Sequence, residues 1–209
     1  DEIINVIEKL CIDANLHLPQ GVKCAIQNCR ACEDGSIAQG ILDDIIRNYE
    51  IADNENVPIC QDTGMAVVFV KLGQEVHVTD GLLNDAVNEG VRQGYKNGYL
   101  RLSVVGDPIE RVNTNDNTPA LIYTEIVSGD NVEITVAPKG FGSENMSKIA
   151  MLRPSDGLQG VKDFVKKTVE EAGPNPCPPI VVGVGIGGTF DKAAYLAKKA
   201  LLRPVDVRN

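Results

Sequence analysis

Cys60 stands in PICQDTG, where a carboxamide (Gln61), a carboxylate (Asp62) and a hydroxyl (Thr63) follow it directly. A thiolate among polar donors beside a glycine turn can act as a metal ligand or a nucleophile, and the same residue can equally be a plain loop cysteine. Cys177 lies between prolines in NPCPPI, so its backbone is stiff and helix is forbidden around it. Such a held thiol suits a ligand, or a small buried side chain at the head of a strand. Arg101, in YLRLSVV, is followed by NTNDNTPA, a run of side chains that build loops through local hydrogen bonds. An arginine so placed can grip a carboxylate in a bidentate fork, or stand as a surface charge. In KGFGSENMS, Gly140 and Gly142 supply flexible backbone N–H groups that could also hold a carboxylate. That segment lacks the G-x-S-x-G order of a nucleophile elbow, and neither His17 nor His77 lies in a comparably polar loop, which argues against a serine hydrolase.

Two further patterns compete with these. Cys24, Cys29 and Cys32 form C-x4-C-x2-C, a spacing known from plant-type ferredoxins. On a helix, Cys24 and Cys29 would point about 140° apart, so the three thiols could not converge, and small core residues are the expected role. Gly183, Gly185 and Gly188 in GVGIGGT satisfy G-x-G-x-x-G between an expected strand and an expected helix, the context of a dinucleotide-binding turn. The acid such a site needs would be Asp206, where Pro204 interrupts the second strand. Close helix packing or an anion-binding helix N-terminus explains the glycines as well.

The elements that must position these residues read as follows. Ile3, Ile7, Leu10 and Ala14 recur at helical spacing in the first stretch. Pro19 can open a second helical pattern reaching about Ala52, with Gly35 and Gly40 as candidate breaks. DNENVPICQDTG is a polar loop ahead of the strand MAVVFVKLG, and Thr79 or Asp80 is the expected cap of a helix ending near Gly98. LRLSVVGDPIERVNTNDNTPA predicts a loop around a short strand. ALIYTEIV and NVEITVAP, joined by SGDN, have the chemistry of a β-hairpin. A helix is expected from near Ser155 through Val169, then a Pro-rich turn, a strand IVVGVG, a glycine loop and a helix FDKAAYLAKKALL. Helices and strands mix without βαβα alternation, so the expected class is α+β (mixed α/β), with helices packed on short mixed or antiparallel sheets and no doubly wound Rossmann fold.

A length of 209 residues suits one sizeable core, and no apolar run approaches the roughly 20 residues that cross a bilayer. A formal charge of −9, with 20 basic against 29 acidic residues, removes any chain-wide attraction for a phosphate backbone, so neither nucleic acid nor membrane is an expected partner. No basic, apolar leader precedes the first helical pattern, and the expected location is cytoplasmic. Six cysteines in that setting are expected as thiols.

PICQDTG, LRLSVVGDP with NTNDNTPA, PKGFGSEN, and CPPIVVGVGIGGTFDKAAYLAKKALLRP, in that order, resemble the alpha subunit of class I iron-sulfur fumarate hydratases and L-tartrate dehydratases over nearly the whole chain. The resemblance implies a hydro-lyase subunit that reversibly dehydrates a 2-hydroxydicarboxylic acid, with fumarate/malate slightly ahead of tartrate. It implies a 4Fe-4S cluster held by three cysteines, its fourth iron open to substrate. Cys60 and Cys177 fall on two ligand positions. Asp62 falls on a catalytic and substrate-meeting position, Gln61 on a substrate-meeting one, and Arg101 on the substrate-carboxylate arginine. Gly140, Phe141 and Gly142 fall on backbone that lies against substrate, Phe141 standing where many members have glycine. The resemblance places the third cysteine beyond LLRP, outside these residues, and the catalytic base on a beta subunit or fused C-terminal domain. Residues 1–209 would then form a single cluster-binding alpha domain, without the family's C-terminal segment, in an oligomer. Cys11, Cys24, Cys29 and Cys32 match no ligand position. Two other readings stay open: a nucleotide-dependent oxidoreductase resting on GVGIGG, and a non-catalytic iron-sulfur scaffold.

Overall fold

The computed structural model describes residues 1–205 and 207. The chain divides into two compact units, Asp1–Gly140 and Phe141–Asn209. The elements are mixed helices and strands in an α+β arrangement, as the sequence pattern predicts.

The first unit begins with α1 (Glu2–Leu16), α2 (Gln20–Cys32) and α3 (Ser36–Glu55). The long second helical pattern therefore breaks at Glu33–Gly35, while Gly40 stays inside α3. Then follow β1 (Met65–Gly73), α4 (Leu83–Asn97), a long loop, β2 (Leu121–Val127) and β3 (Val132–Lys139). The N-cap of α4 is Leu82, two residues beyond the expected cap, because Asp80 and Gly81 take positive φ (65° and 143°) and turn the chain first. The long loop is irregular apart from one bridge, Val105 to Asn113.

The expected β2–β3 hairpin is split. The sheet order is β2-β1-β3, with β1 parallel to β2 and antiparallel to β3. β1 is the most apolar of the three runs and is buried along nearly its whole length, so it takes the central place, where both faces are covered. The SGDN turn still forms, but it wraps the end of β1: Gly73 N–H donates to Asn131 O and Glu75 N–H to Gly129 O.

Alternation along β1 points Ala66, Val68 and Val70 into a core with Ile7 and Cys11 of α1, Val87, Val91 and Tyr95 of α4, and Leu100. Phe69 faces the other way and stacks on Tyr123 of β2 at 5.1 Å. On α1 the inward face runs through Ile3, Ile7 and Cys11, so Ala14 points outward, against the expected stripe. Burial pushes the Cys11 thiol up to about 12. α1 and α4 run parallel and close: a Cβ on Gly90 would lie 2.8 Å from Ile4 O, one on Gly94 2.8 Å from the Cys11 Cβ, and one on Gly98 2.9 Å from Ile12 Cγ1. A ridge of three glycines at i, i+4 and i+8 thus lets the helix backbones approach.

The second unit holds α5 (Phe141–Glu144), a 3-10 turn (Pro154–Asp156), α6 (Gly157–Ala172) and α7 (Phe190–Ala200). The expected strand IVVGVG does not form. The run leans on α7, where a Cβ at Gly183 would meet Ala197 O at 2.1 Å and one at Gly185 would meet Ala193 O at 2.1 Å. An apolar run becomes a strand only when a neighbour offers it a ladder, and among the described residues none does. With no strand before it, GVGIGG loses the setting of a dinucleotide-binding turn, and Asp206 lies outside the described residues. Cys24, Cys29 and Cys32 do lie on a helix, but all three are exposed and only Ile26 of α2 is buried, which corrects the expectation of core residues. Among the described residues no helix is long and apolar enough to cross a membrane.

Candidate functional site

In the first unit the Cys60 loop is pinned from both sides. Ile59 N–H donates to Asn15 O at 3.0 Å, at the end of α1, and Asn48 Nδ2 of α3 donates to Ile59 O at 2.9 Å. Half-buried Cys60 then turns its sulfur into a polar pocket of its own loop: Asp62 N–H points at Sγ from 3.4 Å, and Gln61 Oε1 lies 3.5 Å away. Asp62 Oδ1 accepts the Gly64 N–H at 3.0 Å, which fixes the direction of the carboxylate.

Gly64 (φ +60°) ends the loop where β1 starts, and a Cβ there would lie 2.2 Å from Lys139 O. Only glycine accepts both that conformation and that approach. The Met65–Lys139 register of β1 and β3 delivers the approach, and it brings Gly140 to the Asp62 carboxylate, 3.0 Å from where a Gly140 Cβ would be.

Arg101 joins the same cluster through Thr63. The buried Thr63 hydroxyl accepts the Arg101 N–H at 2.9 Å and donates to the Arg101 carbonyl at 3.2 Å. Tyr95 Oη donates to Thr63 O at 2.8 Å, and burial holds its phenol well above the ordinary tyrosine range. Asn117, fully buried, donates to Gly64 O at 3.0 Å and accepts from Ser103 N–H at 2.7 Å and Val104 N–H at 3.2 Å. The Arg101 side chain is exposed and in no ion pair among the described residues, whereas Arg92 is held by Glu89 and Asp116. Cys60, Gln61, Asp62, Arg101 and Gly140 are therefore brought together in one unit.

Phe141, Gly142 and Cys177 belong to the second unit. Cys177 is exposed on a tight turn, its φ is 54°, and its N–H donates to Pro174 O at 3.2 Å. Gly142 lies against that turn, since a Cβ on it would be 3.0 Å from Asn175 O. Asn175 Nδ2 reaches both Ala172 O at 3.0 Å and the Met146 sulfur at 3.5 Å. Lys198 of α7 pairs with Glu144 of α5 at 2.7 Å. Among the described residues no group of three or more potential metal ligands clusters, and the two thiols singled out in the sequence fall one in each unit, Cys60 in the first and Cys177 in the second.

Sequence reasoning missed Thr63, Tyr95 and Asn117 as structural partners of the site. Thr63 is visible in PICQDTG only as a neighbouring hydroxyl and Asn117 only as one of several loop builders, because burial is what distinguishes them.

A family model for fumarate hydratase (Fumerase) matches residues 4–209. The chain belongs to the fumarate hydratase family, and with it to the hydro-lyases. It is 42% identical to a protein of Methanocaldococcus jannaschii provisionally named L(+)-tartrate dehydratase subunit alpha, over all of this chain and 75% of that one. It is 30% identical to the L(+)-tartrate dehydratase subunit alpha of Escherichia coli K12 and to that of Shigella sonnei, over all of this chain and 70% of each. Within the fumarate hydratase family, then, the similarity extends from the Cys60 loop, with its half-buried thiol, through the Cys177 turn, where the thiol is exposed.

Proposed function

We propose that this chain is the cluster-binding alpha subunit of an iron-sulfur hydro-lyase that dehydrates a 2-hydroxydicarboxylic acid, L(+)-tartrate first and malate second. The observation that carries this reading is the lacing of the Cys60-Gln61-Asp62 loop to Arg101 through Thr63. A thiol, a directed carboxylate and an uncommitted guanidinium then lie on one buried frame. The names of the relatives support tartrate, and their subunit name supports a beta partner.

Each thiol's own setting supports a ligand role in a 4Fe-4S cluster: Cys60 has an N–H directed at its sulfur, and Cys177 stands exposed on a stiff turn. Cys60 and Cys177 would supply two of its thiolates. When bound, the cluster supplies a Lewis-acidic iron that eases loss of the substrate hydroxyl. Arg101 grips a terminal carboxylate in a fork that fixes the diacid's orientation. Asp62, its direction set by Gly64 N–H, and Gln61 order the hydroxyl end, and Asp62 serves as a proton-transfer group there. Gly140, Phe141 and Gly142 are backbone that would lie against substrate, as the family resemblance implies. Removal of the carbon-bound proton falls to a base on the beta part, a contribution of about 10²–10⁴-fold in such reactions. The compartment we propose is the cytoplasm, where thiols stay reduced.

Co-expression with a beta subunit under anaerobic conditions, followed by assays of tartrate and malate dehydration, tests the reading. Cys60→Ser and Cys177→Ser should each abolish turnover and lower bound iron, while Cys29→Ala should do neither. Iron retained in Cys177→Ser but lost in Cys29→Ala would overturn the ligand assignment.

A further inference from the structure

We propose that Thr63 is the positioning residue for Arg101, setting where its guanidinium meets a carboxylate; this deepens the reading of the site given above and rests on it. A threonine hydroxyl has one donor and two acceptor sites, and Thr63 spends one of each on the two backbone groups of a single residue: it accepts the Arg101 N–H at 2.9 Å and donates to the Arg101 carbonyl at 3.2 Å. The other supports of that strand of loop lie on either side. Upstream, Leu100 N–H bonds Tyr95 O at 2.9 Å and the Leu100 side chain is in the core. Downstream, Asn117 accepts Ser103 N–H and Val104 N–H. Arg101 itself is held by Thr63.

The hydroxyl is well placed to act as a rigid reference. Thr63 is 3% exposed, and its carbonyl is fixed by Tyr95 Oη at 2.8 Å. The next peptide is fixed by Asn117 Nδ2 on Gly64 O at 3.0 Å. Only one residue separates Thr63 from Gln61, and two from Cys60. The same short segment thus carries the thiol, the carboxamide and the carboxylate at one end, and the backbone anchor of the arginine at the other. A bidentate fork tolerates little misplacement, so loss of the anchor should be felt in substrate grip before it is felt in the core.

The test uses the cluster-loaded enzyme assembled with its beta subunit, in wild-type form and with Thr63→Val, which keeps the shape without the hydroxyl, and Thr63→Ser, which keeps the hydroxyl. Thr63→Val should raise KM for the diacid roughly tenfold, with kcat and bound iron held, as expected for lost ground-state and transition-state grip alike. Thr63→Ser should return KM to within about twofold of wild type, because the hydrogen bonds are restored. Amide hydrogen exchange gives a readout independent of activity: the Arg101 N–H should be protected in wild type and Thr63→Ser, and should exchange much faster in Thr63→Val. Equal KM in Thr63→Val and wild type would overturn the proposal. So would an unprotected Arg101 N–H in wild type, a result that needs no variant to fold. If wild type turned over no diacid, the functional reading would fall, and the exchange measurement would still decide whether Thr63 holds Arg101.

Discussion

Gly64→Ala is the most demanding single test of how the site is assembled. Gly64 sits at φ +60°, where an L-residue costs about 1–2 kcal/mol. The new Cβ would also lie 2.2 Å from Lys139 O, 2.3 Å from its carbonyl carbon and 2.7 Å from Gly140 N. These atoms are backbone at the end of β3, so nothing flexible can give way. Restoring an ordinary contact of about 3.5 Å means moving the strand end by more than about 1 Å, and overpacking of that kind costs typically ~1–3 kcal/mol. The two effects together predict a loss of about 2–5 kcal/mol, against a typical total of about 5–15 kcal/mol.

Urea unfolding followed by tyrosine fluorescence would read it well. Of the five tyrosines, Tyr195 alone lies outside Asp1–Gly140, so the signal reports mainly the first unit. Gly40→Ala serves as the control: it lies inside α3 with nothing within 4 Å of an added Cβ, and should stabilise by about 0.5–1 kcal/mol. A Gly64→Ala loss below about 1 kcal/mol would refute the reasoning, because the strain at positive φ alone predicts that much. In the assembled enzyme the same variant should lose turnover beyond its loss of stability, since retreat of Lys139 also carries Gly140 away from Asp62.

Other outcomes follow from the same geometry. Tyr95→Phe removes the donor to Thr63 O and should cost about 1–3 kcal/mol in urea unfolding, the usual penalty for leaving a buried acceptor unpaired. Arg101→Lys should raise KM for the diacid and leave bound iron unchanged, because an ammonium cannot reproduce the fork; unchanged kinetics would return Arg101 to a surface charge. Thiol alkylation of the folded chain at mildly alkaline pH should modify Cys24, Cys29 and Cys32 while sparing Cys11, which is buried with its thiol pushed up to about 12 and should react only on unfolding. Acid should weaken the first unit through Asp116 and Asp53. Burial of Asp116 opposes its ionisation, but hydrogen bonds from Thr118 and Arg92 outweigh it, and Asp53 is held low by Lys23 and then His17. Both carboxyls lie below their unfolded value of about 3.9, so their stabilisation is present above that pH and lost as pH falls through the folded values. Urea midpoints measured against pH should decline there, and Asp116→Asn should flatten the decline.

Most of the elements were legible because their signals are local. The periodicity of Ile3 and Ile7, the β-branched run MAVVFV and the helix of FDKAAYLAKKALL each declare their own conformation. What was not legible depends on partners distant in sequence. SGDN has hairpin chemistry and does turn, yet β1 enters between the strands it joins, because the competition for the central place is decided by burial across the whole sheet. IVVGVG has strand composition, but its glycines fit it to α7. The site divides in the same way. Cys60, Gln61, Asp62 and Arg101 advertise chemistry by residue type. Thr63, Tyr95 and Asn117 act through burial, and a buried asparagine looks in sequence like any other residue of a polar loop.

The parallel packing of α1 and α4 explains why the two halves of this frame meet. Gly90, Gly94 and Gly98 bring α4 against Ile7, Cys11 and Ile12 in step, so α4 ends beside Ile12 and α1 runs on about one turn to Leu16. From the end of α1, Asn15 O takes the Ile59 N–H and fixes the approach to Cys60. From the end of α4, Tyr95 reaches Thr63 and Leu100 leads directly into Arg101. The distance between the thiol loop and the arginine is therefore set by the distance between two helix backbones, and the side chains that would vary that distance are absent at the contact. A stripe of glycines that costs helix stability is the means by which the loops of Cys60 and Arg101, 41 residues apart in sequence, are held on one frame.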